Sequence, residues 1–365
     1  MANDPQVTAP PPAPPPTTPA ANPALKVAKF LANNAIYSAL LLVVLVITYV
    51  DPGFISINSL RNILLNSSAR VIIAMGASFA ILTAGADLSA GRMVGFAAVL
   101  SASMLQAPDY LRLFYPNLQT TWIWVHLPWA TLWIPIILAI LACTLAGFIN
   151  GFVIAKFNVA PFIQTLGMMV IILGVNSLYF DQEPNSSQPI GGLRRDFTEI
   201  GTGAFGTGPY SVPYIVVIAA VVVILMWVLM NKTVFGKNVY AIGGNVQAAR
   251  VSGINVGRTT MIMYALAGAL YGLGGVLVAS RTGGATNNYG NMYELDAIAA
   301  CVVGGVSVTG GIGTVPGIVS GVLIFTVIDF GLTFISINPY WQLIIRGVII
   351  VSAVAFDVRK YVAKK

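Results

Sequence analysis

The chain has 365 residues, 57% of them hydrophobic and only 8% charged, with a formal net charge of +7 at pH 7. A soluble domain carries about a quarter charged residues, so a water-soluble fold is excluded. The positive excess does not point to nucleic acid, because the charges sit mostly at the ends of apolar segments, where they set membrane topology.

Residues 1–27 form a proline-rich leader that begins MANDPQVTAPPPAPPPTTPAANPA. Such a composition buries no core, and it lacks the basic-then-apolar order of a cleavable signal peptide. The leader is expected to be an extended, disordered cytoplasmic tail, with residues 28–365 forming one transmembrane domain. Apolar runs of roughly 17–25 residues follow, each long enough to cross a hydrocarbon core as a helix, and they do not alternate as barrel strands would. Hydropathy places ten spans at 34–50, 66–84, 91–107, 130–155, 160–180, 212–230, 259–280, 293–309, 313–334 and 340–357. The expected fold is an all-α polytopic membrane protein with broken-helix segments and an inverted repeat.

Lysine placement orients these spans. With a cytoplasmic N-terminus and ten spans, Lys26, Lys29, Lys156, Lys232, Lys237, Lys360, Lys364 and Lys365 all fall on the cytoplasmic side. The opposite orientation puts every one outside, so the positive-inside rule selects cytoplasmic N- and C-termini. Segments 51–61, 107–128 and 181–213 then lie outside. TWIWVHLPWATLW, with four tryptophans, reads as an interfacial belt, and its His126 as a headgroup neighbour rather than a catalyst. Cys143 and Cys301 each sit in an apolar run and read as small packing residues.

Each half carries a Gly-rich interruption beside an acidic residue: TAGADLSAGR at 83–92 and GGATNNYGNMYELD at 283–296. Spans two to five and seven to ten enter in opposite senses, the pattern of inverted repeats with discontinuous helices. A charge at mid-span costs about 2.5–3.5 kcal/mol, so Asp87, Arg92, Glu294, Asp296, Asp329 and Arg346 need a reason. For Asp87, with Ser89 beside it, two readings are open: a hydroxyl-binding or gating site, or a cap that holds the break. A salt bridge is the plainer reading of Arg92. First-turn carboxylates favour the macrodipole, which by itself accounts for Glu294 and Asp296. Asn287 and Asn288 offer amides suited to sugar hydroxyls, or are ordinary turn residues. Asp87, Ser89, Asn287, Asn288, Glu294 and Asp296 are thus the candidate translocation-path residues, while Asp329 and Arg346 on neighbouring spans can pair with each other.

Between the sixth and seventh spans lies a polar island, 231–258, containing FGKNVYAIGGNVQAARVSGINVGR. It predicts a short amphipathic helix from Val246 to Val251, bracketed by Gly243-Gly244 and Gly253. A plain connecting turn would be far shorter. A polar helix with glycine hinges at the membrane surface suits docking on a soluble motor. The chain has no such motor of its own: NKTVFGKN places Asn238 where a phosphate loop needs Ser or Thr. GGIGTVPG at 310–317 lacks the lysine and follows an apolar span, so a tight turn is the better reading. With no nucleophile elbow, zinc spacing or histidine-based triad, no catalytic, metal or cofactor residues are expected.

TAGADLSAGR, the GKN…AIGGN…AARVSGINV loop, GGATNN, and MYELDAIAACVVGGVSVTGGIGTVPG followed by NPYWQ resemble the permease subunits of ribose-type sugar ABC importers, from about residue 28 onward. GGATNN with MYELDAIAACVVGG is similar to the galactose/methyl-galactoside branch. The resemblance implies a homodimer of chains forming a conduit in a bacterial inner membrane. It also implies a cytoplasmic ABC ATPase that alone binds ATP and Mg, and a periplasmic sugar-binding protein that delivers a monosaccharide from above. The family's docking helix usually bears Glu-Ala-Ala, which here falls on Gln247, Ala248 and Ala249, with Gly244 before and Gly253 after. Gln247 removes a charge, so a contact made there becomes a neutral hydrogen bond. Asp181, Glu183, Arg194 and Arg195 on the outer loop, with Asp196 and Glu199, are the expected contacts of the binding protein, or are simply solvated. Three alternatives stay open: an ABC permease for ribose, xylose, a nucleoside or autoinducer-2; an ion-coupled secondary transporter using Asp87, Glu294 or Asp329; and a channel or scaffold with no coupled cycle, which the polar island disfavours. Membrane lipid is an expected partner and nucleic acid is not.

Overall fold

The computed structural model describes residues 35–208 and 210–362. The leader 1–27 and Lys26, Lys29, Lys364 and Lys365 lie outside the described residues. An apolar α1 (Ala35–Val50) leads through a short 3-10 turn to α2 (Ile57–Leu82), which starts where Ser56 accepts the Ser59 amide. There follow α3 (Ala90–Met104), α4 (Trp122–His126), α5 (Ala130–Phe157), α6 (Pro161–Asp181) and α7 (Arg195–Thr202). A two-residue antiparallel pair, β1 (Ala204–Phe205) and β2 (Val212–Pro213), leads into α8 (Tyr214–Lys232). The remaining helices are α9 (Val234–Gly244), α10 (Val246–Val251), α11 (Val256–Thr282), α12 (Tyr293–Val303), α13 (Val315–Phe334) and α14 (Pro339–Val362).

Six of these, α2, α5, α6, α8, α11 and α13, are long and apolar enough to cross a membrane. Their outer faces agree: Leu141 and Leu145 on α5, Ile163 and Leu178 on α6, and Ile224 and Leu225 on α8 are more than half exposed. Such continuous apolar surface suits hydrocarbon rather than water. The protein is an all-α polytopic membrane protein.

The core is built around α11, which packs on α5, α3 and α2. Glycines bring the α5 and α11 backbones together, with Gly268 seated on the Cys143 carbonyl and Gly147 on that of Tyr264. α2 is the most enclosed helix; from Ser67 to Leu82 every residue except Arg70 is buried. It begins nine residues before the expected span, because Asn58, Ser59, Arg61, Asn62 and Asn66 lower the hydropathy without breaking the helix.

Four of the ten expected spans, 34–50, 91–107, 293–309 and 340–357, are not among those six, and two of them, 91–107 and 293–309, are broken by non-helical stretches. α3 has 15 residues and α12 has 11. At 1.5 Å per residue they reach only about 22 and 17 Å, short of a core about 30 Å thick. Each follows a non-helical stretch, 83–89 or 283–292. Left-handed backbone at Ala84, Gly283, Gly290 and Met292 keeps those stretches from continuing the helix before them. The segment after Val303 is likewise no longer helical; it turns through Gly305, Gly310 and Gly311, all at positive φ.

The expected outer loop 181–213 is a folded cap. Phe197 is fully buried and accepts the Ser280 hydroxyl on its carbonyl at 2.6 Å. Single bridges join Ile190 to Ala285 and Leu193 to Gln106. The buried Gln106 amide donates to the Gly191 and Arg112 carbonyls, at 2.9 and 3.1 Å, and accepts the Phe114 amide at 2.6 Å.

Candidate translocation path and coupling surface

The two half-helices point their N-termini at each other. A Cβ on Gly91 would collide with the Gly290 carbonyl and with Glu294 Oε2, and one on Gly290 would strike the Gly91 carbonyl. Arg92 Nη2 donates to Asn291 Oδ1 at 2.8 Å across the same junction. Glu294 is 8% exposed, and its Oε2 has no hydrogen-bond partner among the described residues. Each helix start carries about half a unit of positive charge, so this one carboxylate offsets two of them.

Asp87 and Ser89 lie in a closed polar knot beside that junction. Asp87 Oδ1 accepts the Ser89 amide at 3.0 Å and its hydroxyl at 2.6 Å, while Oδ2 accepts the Tyr271 hydroxyl at 3.1 Å. Asn150 Nδ2 donates to Ser89 Oγ at 3.0 Å, and Thr165 Oγ1 donates to the Ala86 carbonyl at 3.1 Å. Asp87 thus holds the break through Ser89 rather than by capping the first turn of α3. Asn287 is half-buried and Asn288 exposed, and neither side chain makes a hydrogen bond among the described residues; the amide in use on this turn is that of Asn291.

Asp296 joins a charged chain with Asp329. Arg70 Nη1 donates to Asp329 Oδ2 at 2.6 Å and Arg346 Nε to Asp329 Oδ1 at 2.8 Å; Arg346 Nη1 reaches Asp296 Oδ2 at 3.4 Å. Pairing of Asp329 with Arg346 agrees with their neighbouring spans. Arg70 is the member that sequence reasoning missed, although an arginine inside SSARVIIAMGAS was a visible signal. It borders three cavities. One of about 300 Å³ is lined by Asn66, Arg70, Arg281 and Tyr293, and one of about 190 Å³ by Asn66, Arg70, Asp329, Thr333 and Arg346. The third, of about 20 Å³, lies between Arg70, Tyr293 and Asp296 and the apolar Ile73, Ala300, Val322 and Phe325.

At one end of the bundle, α9 and α10 form a projecting elbow. Thr233 caps α9 by accepting the Gly236 amide at 3.2 Å, and Asn245 caps α10 by accepting the Ala248 amide at 2.9 Å. α10 occupies Val246–Val251 and ends near Gly253, whose φ is 82°. Gly244, Gln247 and Ala248 are exposed, and Val251 is 91% exposed. Ala249 is buried at 3%, so it anchors the helix to the body while its neighbours are presented. Behind the elbow, Gly243 packs on the Leu82 carbonyl and on Gly311, whose amide donates to that carbonyl at 2.8 Å. Gly310 lies against Ala84, and Tyr240 donates to the Gly313 carbonyl at 3.0 Å. Backbone contact therefore runs from the elbow to the turn before α13 and to the break after α2.

On the cap at the other end, Arg194 forks onto Asp196 at 3.1 and 2.5 Å and donates to Thr131 Oγ1 at 2.9 Å, tying the loop to α5. Asp181 accepts the Ser187 hydroxyl at 2.6 Å, and Glu183 and Arg195 are exposed.

Residues 59–354 match the family model described as branched-chain amino acid transport system / permease component. The chain is 50% identical over 340 residues to the galactose/methyl galactoside import permease protein MglC of Escherichia coli (strain K12), covering 92% of this chain and 97% of that one. MglC of Haemophilus influenzae is also 50% identical, over 339 residues, covering 92% of this chain and 96% of that one. The ribose import permease protein RbsC of Escherichia coli (strain K12) is 34% identical over 325 residues, covering 88% and 92%. No solved structure matches the chain.

Proposed function

The chain belongs to the family of branched-chain amino acid transport system permease components, and from that premise we propose that it carries galactose or a methyl galactoside across a bacterial inner membrane. It is a permease subunit of a sugar ABC importer. The sugar class rests on 50% identity to galactoside permeases against 34% to ribose permeases. A ribose-type cargo is the second reading, supported by that lower identity alone.

The observation that carries the coupling reading is α10, a capped, hinged helix with exposed Gln247 and Val251 and a buried Ala249. In this proposal α10 docks on a partner ATPase, which binds ATP and Mg, and a periplasmic binding protein seats on the cap formed by 181–213. Two copies of the chain form the conduit. The elbow end is cytoplasmic, in keeping with Lys156 and Lys232 in the last turns of α5 and α8 and Lys237 on α9. The chain then crosses ten times, with each half-helix and its preceding extended stretch counting as one crossing.

A mechanism follows from the contacts. When the ATPase dimer closes, it displaces α10 and α9, and Gly243 pushes on Gly311 and Leu82. The turn before α13 and the break before α3 shift together, so α12 and α13 move relative to α2. The apolar residues Ile73, Ala300, Val322 and Phe325 lie among these three helices, and their relative movement opens the conduit between the two copies.

The test is copurification in gentle detergent. Native protein should bring down an ATPase, and Val251→Glu with Gln247→Arg should lose it while keeping the native melting profile. An ATPase retained by a folded double variant would remove α10 from the docking site.

A further inference from the structure

We propose that Glu294 is a positioning residue for transport, holding a sliding joint between the two half-helices through which the α9–α10 elbow and the 181–213 cap sense each other. The inference rests on the reading that the elbow docks an ATPase and the cap a binding protein.

The joint is the middle of a continuous run of contacts. At the elbow end, Gly243 packs on the Leu82 carbonyl and Gly310 lies against Ala84, where the break before α3 begins. Asp87 and Ser89 brace that break from within, and it passes directly into α3. There the Gly91 carbonyl meets Gly290, and the Tyr289 carbonyl lies against Gly95. At the cap end, Ile190 and Ala285 exchange two amide-to-carbonyl hydrogen bonds, both of 2.9 Å. Elbow, first break, α3, second break and cap therefore touch in series. Among the described residues, no backbone hydrogen bond crosses the middle contact, between α3 and 283–292.

What holds that contact is charge. Glu294 Oε2 is buried against Gly91. It stands at the N-termini of both α3 and α12, helices of 15 and 11 residues, and each N-terminus carries about half a positive charge. One directed bond is added by Arg92, from Nη2 to Asn291 Oδ1. A hydrogen bond weakens steeply as its atoms part or tilt, whereas attraction between charges falls only with the inverse of distance. A carboxylate without a directed bond thus keeps drawing the two ends together while they shift.

The surfaces it closes are bare backbone. A Cβ at Gly91, Gly95 or Gly290 would strike a carbonyl on the facing segment. Left-handed backbone at Gly290 and Met292, with φ of 76° and 68°, turns the chain so that α12 starts against α3. At Met292 a side-chain-bearing residue holds this conformation, which persists only where the surroundings enforce it.

The experiment uses the whole complex of permease and ATPase in nanodiscs. Affinity for galactose-loaded binding protein is measured with and without a non-hydrolysable ATP analogue, and the ratio is the coupling factor between the two ends. Glu294→Gln, which keeps the shape and loses the charge, should bring this factor nearer to one by about 2- to 30-fold. Its melting midpoint and its nucleotide-free affinity for the binding protein should stay native. Glu294→Asp, which restores the charge, should recover part of the factor. Asn291→Ala, at an exposed side chain, removes the Arg92 bond and should lower the factor less; it carries the test if Glu294→Gln does not fold. A native factor in these folded variants, or equal loss with Gln and Asp at 294, overturns the proposal. So does a lower melting midpoint with an unchanged factor, which is the mark of packing alone. If the factor of the native complex is already one, the elbow-and-cap reading itself fails and the proposal falls with it.

Discussion

Gly243 packs directly on Gly311, with no side chain between the α9–α10 elbow and the turn that leads into α13. The Leu82 carbonyl completes the contact, since it lies where a Gly243 Cβ would be and accepts the Gly311 amide. Motion at the elbow therefore reaches two elements through backbone alone, which is stiffer than a path through rotamers.

Gly243→Val should disturb this contact, with an overpacking cost of about 1–3 kcal/mol. The expected outcome is a lower melting midpoint and reduced ATP-driven uptake. Gly174→Ala, whose added methyl meets nothing within 4 Å, serves as the control for a surface change. Native melting and uptake in Gly243→Val would mean that the close approach is dispensable.

Asp87 accepts three hydrogen bonds in a fully enclosed site. Asp87→Ala orphans the Ser89 amide and hydroxyl and the Tyr271 hydroxyl, each a loss of about 1–3 kcal/mol when buried. Thermal unfolding in detergent should show a large drop for Asp87→Ala and a smaller one for Asp87→Asn, which keeps one acceptor. Equal melting of native and Asp87→Ala would rule out the knot as the brace of the break.

Tyr240 offers a pH test outside the membrane. Burial pushes its phenol above the ordinary value near 10. The folded state thus holds this proton more tightly than the unfolded state does. The stabilisation is whole below about pH 10 and fades as pH rises through the folded value. Tyr240→Phe should lower stability by about 1 kcal/mol at neutral pH. Native-minus-variant ultraviolet difference titration should place the group above 10, and a midpoint at or below that value contradicts the burial argument.

Much of the site was legible because its signals are local. Asn245 before VQAARV and Gly253 after it delimit α10 by capping and positive φ, both properties of a few adjacent residues. The interruptions at 83–92 and 283–296 were visible for the same reason. The burial of Ala249 was not, since a six-residue helix does not say which face meets the body. Nor was the fold of 181–213, which depends on Gln106 and Ala285 far away in sequence.

The sequence alone determined the membrane class, the helical architecture, the two broken segments and the short helix α10. Composition, run length and capping act within a turn or two of chain, so one sequence suffices to read them. Only the tertiary structure decided which polar groups meet. Arg70 and Asp329 are 259 residues apart, and Gly91 meets Glu294 only because two half-helices converge. A hydrogen bond needs atoms within about 3 Å, a distance fixed by how α2, α12, α13 and α14 pack against one another and by nothing in their individual periodicities.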